Sequence, residues 1–140
     1  MFIDFYPNSK SKCVRAVILS FITMCAGFDL AAETPAVLSG TITHVRDGDT
    51  FEVGGIPVRL AALDCPENKT SEGKQVTKYA KRFEGAKVVC ELTGAMNYDR
   101  VVGYCSVNGD DYGLIMMQNT SCKLWKKYDV FNRYGEADDK

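Results

Sequence analysis

Between Gly40 and Leu63 the apolar residues fall in short runs broken by polar turns. "TITHV" (41–45), "TFEV" (50–53) and "IPVRLAAL" (56–63) are rich in β-branched and apolar residues, which suit a pleated, half-buried surface. "DGD" (47–49) and "GG" (54–55) separate these runs as turns. Pro57 falls near a strand start, where a missing donor is tolerated. After Pro66 the period changes. In "GKQVTKYAKRFEG" (73–85) the residues Val76, Tyr79, Ala80 and Phe83 recur as one stripe of an amphipathic helix, closed by Gly85. Lys74, Lys78, Lys81 and Arg82 occupy its other side, either as a solvated face or as a phosphate-contacting one. "KVVCEL" (87–92) and "RVVGYCSV" (100–107) return to strand character. "NGDD" (108–111) turns the chain into "YGLIMMQ" (112–118), a second helix expected to bury Tyr112, Ile115 and Met116.

Three strands, a helix, two strands and a helix describe a small α+β domain. Five short strands in this order suit a closed Greek-key barrel of the OB type. The chain has 140 residues, 46% hydrophobic and 25% charged, which is ordinary composition for one domain. A formal net charge of -1 excludes a global basic field, so any polyanion site is local. Ahead of the domain, Lys10, Lys12 and Arg15 precede the apolar run "AVILSFITMCAG" (16–27), and Ala31 and Ala32 follow. That run is about half the roughly 20 residues a spanning helix needs. A charged start, a short apolar stretch and a small-residue exit form the layout of a secretory signal peptide. Residues 1–32 are therefore read as a signal, cleaved after Ala32 or alternatively Gly27. Residues 33–39 are read as a linker with Pro35, and 40–140 as the domain, exported to the periplasm or beyond. Cys13 and Cys25 leave with the signal, and Cys65, Cys90, Cys105 and Cys122 remain. An even set in an exported small domain points to disulfides; in a reducing compartment the same residues would be buried thiols.

Charge gathers around the first hairpins. Asp47, Asp49, Asp64, Glu67, Arg46 and Arg59 all lie within residues 46–67. Alone, "DGDT" (47–50) is turn chemistry, because Asp side chains close Asx-turns. Pairing of the second and third strands, however, would bring Asp49 near Asp64, and Pro66 would turn Glu67 back toward them. Carboxylates forced together repel unless a cation neutralises them. A hard cation such as Ca²⁺ accepts carboxylates, a backbone carbonyl and waters as ligands. Arg59 in "VRL" (58–60) either pairs with these acids or joins Arg100, in "NYDRVVGY" (97–104), as a phosphate clamp. A cation and two guanidiniums suit a phosphate whose charge grows in the transition state. Glu67 would then be placed to take a proton from an attacking water.

Taken in order, "DGDT" (47–50), "RL" (59–60), "DCPE" (64–67) and "YDR" (98–100) resemble the pattern of the thermonuclease family, whose best-known member is staphylococcal nuclease. The similarity runs from about Gly40 to Tyr128. It implies an OB-type five-stranded barrel with helices, and Ca²⁺-dependent hydrolysis of phosphodiesters in DNA and RNA that leaves 3′-phosphate ends. By position it implies Asp49 and Asp64 as calcium carboxylates and the Cys65 backbone carbonyl as a further ligand. Glu67 matches the residue that activates or orients water, and Arg59 and Arg100 match the catalytic, phosphate-binding arginines. Tyr98 and Tyr128 match aromatic contacts to the nucleotide. Contacts to phosphate rather than base edges imply weak sequence preference, and stacking favours single or frayed strands. A monomer without stable membrane association after cleavage is expected.

Three features depart from the family pattern. Asp99 stands in place of a turn glycine, and Thr120 in place of a glycine after the second helix. The family also continues with a further helix where "RYGEADDK" (133–140) closes this chain. Cys90 and Cys105, on consecutive strands, are expected to pair across their hairpin, closing a loop of about 15 residues worth roughly 3 kcal/mol in the chain-entropy model. Cys65 and Cys122 are then the leftover pair. No C-x-x-C spacing exists and His44 is the lone histidine, so a zinc site is not expected; His44 is read as a surface strand residue. Two other readings stand beside the nuclease: a catalytically weak or inactive OB-type nucleic-acid-binding module, motivated by Asp99 and the C-terminus, and an accessory protein of an envelope or polysaccharide pathway.

Overall fold

Residues 34–135 are described by a computed structural model; the expected signal segment and its cleavage site lie outside the described residues. Strands β1 (Val37–Asp47), β2 (Thr50–Val53) and β3 (Ile56–Leu60) form an antiparallel meander. After the two-residue strand β4 (Leu63–Asp64) come helix α1 (Ser71–Ala80) and a 3₁₀ turn at Lys81–Phe83. Strands β5 (Lys87–Asn97), β6 (Arg100–Val107) and β7 (Asp110–Asp111) lead into helix α2 (Tyr112–Asn119) and the short strand β8 (Lys123–Leu124). The domain is α+β, with a mostly antiparallel six-stranded sheet in the order β3-β2-β1-β5-β6-β7. β6 also pairs in parallel with β3, Val58 opposite Val101 and Leu60 opposite Gly103. That ladder closes β3-β2-β1-β5-β6 into a barrel-like ring and removes both free edges of those strands.

Inside lie Ile42, Val45, Phe51, Val53, Val58 and Leu60 from the meander, and Val88, Cys90, Cys105 and Val107 from β5 and β6. α1 covers them with Val76 and Ala80, and α2 with Tyr112 and Met116. The Tyr112 ring receives Phe51 and Phe83 edge-on, at 5.2 and 5.5 Å between centroids. Ile115, expected in this core, is only half-buried, whereas Gly113 is buried against the Tyr134 ring. α1 starts where Thr70 accepts from the Gly73 N–H at 2.9 Å, a cap that satisfies an otherwise orphaned donor. A Cβ at Gly73 would collide with the Glu67 carbonyl, so the residue lets the loop carrying Glu67 lie against the helix start.

Several boundaries differ from those read in the sequence. Residues 37–39, expected as linker, are strand, paired with Glu91, Cys90 and Val89 of β5. The expected strand over 56–63 stops at Leu60 because Ala62 adopts a left-handed backbone, φ +58°. Leu63–Asp64 then pairs with Lys123–Leu124 as a separate ribbon. Thr120 ends α2 in an extended conformation, its N–H donating to the Met116 carbonyl at 3.0 Å and its hydroxyl to the same oxygen. No left-handed glycine is needed there. His44 is exposed on β1, as read. Both expected disulfides are present, Cys90–Cys105 across the β5–β6 ladder and Cys65–Cys122 between the β4 and β8 ends, and such bonds belong to an oxidising environment.

Candidate active site

The β2–β3 register sets Thr50 opposite Arg59, so the arginine emerges beside the acid that precedes Thr50. Asp49 is 8% exposed. Its Oδ2 accepts from Arg59 Nη1 at 3.0 Å and from the Cys65 N–H at 3.2 Å. Its Oδ1 accepts from the Thr50 hydroxyl at 3.1 Å. The Asp49 N–H in turn donates to Asp47 Oδ1 at 3.3 Å, which is the Asx-turn read from "DGDT". Arg59 Nη1 also donates to the Leu60 carbonyl at 3.1 Å. From β6, Arg100 donates Nη1 to Thr50 Oγ1 at 3.0 Å and is braced by Nε on the Asn97 carbonyl at 3.3 Å. Thr50 is thus the link between Arg100 and Asp49. Burial pushes the Asp49 carboxyl up to about 7; the Arg59 guanidinium opposes this, and the neighbouring Asp47 adds to it.

The structure brings Asp49, Arg59, Cys65 and Arg100 together. It does not bring the side chains of Asp64 and Glu67 into hydrogen-bonding contact with them. Asp64 is exposed on β4 opposite Lys123. Glu67 is exposed, and only its carbonyl is engaged, by the Thr70 N–H and hydroxyl at 2.9 Å each. Cys65 meets the cluster through its N–H on Asp49. Tyr98 stands at the β5–β6 turn, 92% exposed with φ +57°. Tyr128, half-exposed, meets Trp125 edge-on at 4.5 Å. The Trp125 and Tyr128 rings, Asn97, Val102 and Arg59 line a cleft of about 130 Å³, which Tyr98 does not line. An apolar cleft with a guanidinium at its rim can hold a flat, anion-bearing group.

Among the described residues no group of three or more His, Cys, Asp or Glu side chains is placed to hold a metal ion. The donors beside the arginines are nevertheless hard oxygens, and the buried Asp49 is destabilised in its charged form by burial and by Asp47. A cation there would relieve that cost. Asp49 is one hard-oxygen ligand for such a cation; the rest of its shell would have to come from water, a bound anion or rearranged neighbours. The sequence reading gave no role to Thr50, Asn97 or Trp125. Thr50 reads as an ordinary strand former, and its role depends on a β6 arginine far along the chain. Trp125, the lone tryptophan, was the available signal for the cleft. No family model matches the chain, and no curated protein matches it.

Proposed function

We propose that the protein is an exported, calcium-dependent nuclease with an OB-type barrel of the thermonuclease kind, hydrolysing phosphodiester bonds of DNA and RNA to leave 3′-phosphate ends. The observation that carries this reading is the convergence of Arg59 and Arg100, from different strands, on the Asp49–Thr50 corner. A guanidinium has five N–H donors. All the contacts described for Arg59 use one nitrogen, so its remaining donors are open to a phosphate. Such paired donors oppose charge that develops on the phosphoryl oxygens. When bound, Ca²⁺ would polarise a phosphate oxygen and orient water, with Asp49, Asp64 and the Cys65 carbonyl as its protein ligands. Glu67, on the loop that Gly73 admits, is the group to take the proton. Tyr98, Tyr128 and Trp125 offer stacking faces to single or frayed strands.

The test is degradation of plasmid and single-stranded DNA by residues 33–140, with and without chelator. Cleavage should need Ca²⁺, and Arg59→Ala or Glu67→Ala should lower it about 10²–10³-fold. Unchanged cleavage by Arg59→Ala would end the reading. The detachment of the Asp64 and Glu67 side chains from the Asp49 cluster favours a second reading, a nucleic-acid-binding module with weak or absent chemistry. Salt-sensitive binding of single strands without products would identify it.

A further inference from the structure

The turn between β5 and β6 holds a bulky residue in a conformation that bulky residues avoid. Tyr98 and Asp99 join the paired residues Asn97 and Arg100. Tyr98 sits at φ +57° with its ring in solvent, so nothing that the ring touches explains the backbone. A left-handed non-glycine residue persists only where its surroundings impose it. The two-residue hairpin itself calls for a positive φ at its first central position, and two sets of contacts brace the turn. Within the hairpin, Arg100 binds Asn97 through Nε and Nη2. From outside, Arg46 of β1 donates Nη1 to Asp99 Oδ2 at 3.0 Å. Arg46 is itself aimed by Glu52 of β2, whose Oε1 accepts from Nε at 3.0 Å.

We propose that Arg46 is a positioning residue for Arg100: it clasps Asp99, holds the strained turn against β1 and β2, and neutralises the acid next to the anion-binding guanidinium. The inference rests on the reading of Arg100 as a phosphate-binding group. Asp99 is the position where a carboxylate stands beside the phosphate site with no catalytic use. Arg46 holds its carboxyl below the ordinary value, chiefly through their hydrogen bond. Exposed ion pairs contribute little to stability, so the clasp acts on geometry and local potential rather than on folding. The Arg100 guanidinium reaches Thr50 at 3.0 Å, and Thr50 reaches Asp49 at 3.1 Å. A small displacement of the turn therefore moves a phosphate donor away from the cluster, and misplacement of that size is costly to an aligned site.

A double-mutant cycle tests this with R46A, D99G and the double variant, all carrying the full exported domain. Two readouts are needed: cleavage of oligothymidylate in Ca²⁺, and binding of a hydrolysis-resistant phosphorothioate oligothymidylate followed by anisotropy. R46A should weaken binding and raise KM about three- to tenfold, with kcat changed less and melting temperature unmoved. In the D99G background the same substitution should change both by less than about twofold, because nothing remains to clasp. Equal losses in the two backgrounds, or no loss from R46A, would overturn the clasp. If wild-type protein binds the probe and obeys the cycle but cleaves nothing, the clasp stands and the hydrolase reading falls. If it cleaves and the cycle is additive, the reverse holds. Wild-type protein that neither binds nor cleaves overturns both.

Discussion

Asp49 shows how a candidate site residue can be held at the expense of stability. It is buried, it faces Arg59, and Asp47 lies beside it. Burial outweighs the guanidinium and lifts its carboxyl to about 7, whereas an unfolded Asp titrates near 3.9. The folded protein thus keeps a proton that the unfolded chain has released over the window between those values. Stability contributed at this site is greatest at acid pH and falls as pH rises through the window toward 7. Asp49→Asn retains the shape without the charge. It should therefore gain on wild type as pH rises, by on the order of 4 kcal/mol between acid pH and pH 8, while the proposed cleavage is lost. Urea unfolding at pH 5 and pH 8 checks this; an advantage that shrinks with pH would mean the Arg59 pair dominates. An ion pair between Arg59 and a neighbouring acid was one of two readings open in the sequence, and the β2–β3 register sets Asp49 as the acid it meets. The Thr50–Arg100 contact was not legible, since a hydroxyl on a strand former carries no pattern. Arg46 was visible as a charge, but its partner Asp99 is brought to it only by the fold.

At the scale of elements, the long-period and short-period patterns identified both helices and every strand of the closed ring. They missed β4, β7 and β8, each a two-residue strand, for which no periodicity can exist. They also ran β3 through Ala62, because an alanine at positive φ announces no turn. The candidate site borders one of these hidden elements. β4 and β8 are joined by their ladder and by Cys65–Cys122, and the Trp125 N–H donates to the Ala62 carbonyl at 2.7 Å. The disulfide closes a separation of 57 residues, against 15 for Cys90–Cys105. Loop entropy gives about 4 and about 3 kcal/mol for the two, so either loss should lower the melting point. Their effects on the site should differ. Cys90 and Cys105 are core residues directly opposite each other in the ladder, and neither is among the groups that contact Asp49. Cys65 donates its N–H to Asp49 and anchors the segment that leads to Trp125 and Tyr128. Below the melting point, Cys90→Ala/Cys105→Ala should keep kcat/KM within about twofold, and Cys65→Ala/Cys122→Ala should lose about tenfold or more, as expected where positioning is disturbed. Equal activity in the two double variants would separate the β4–β8 strut from function.

Across the whole molecule, the question is what holds the last described residues to the barrel. Asp129 is the hub. Its Oδ1 accepts from the Tyr104 hydroxyl at 2.7 Å and the Arg133 N–H at 2.9 Å, and its Oδ2 from the Tyr134 N–H at 2.8 Å. Tyr134 carries the network to Asp111, the α2 cap, at 2.9 Å, while the Arg133 guanidinium lies over the Tyr104 ring and pairs with Glu91. One carboxylate thereby ties the last described residues to β5, β6 and α2. Burial raises the Asp129 carboxyl, but the Tyr104 hydroxyl and the Tyr134 and Arg133 N–H groups outweigh it and hold it below the ordinary value. A depressed carboxyl adds stability above the unfolded value of about 3.9, and that stability is lost as pH falls below it. Acid should therefore release residues 129–135 from the barrel as the carboxylate is protonated. Amide exchange at Phe131, Arg133 and Tyr134 should rise below about pH 4, ahead of exchange at Val88 and Val107 in the barrel. Asp129→Ala should produce the same release at pH 7, at a cost of about 1–3 kcal/mol for the orphaned buried donors, and should flatten the acid dependence. Exchange that rises simultaneously in residues 129–135 and in the barrel would show that this segment and the ring unfold as one unit, with Asp129 holding both.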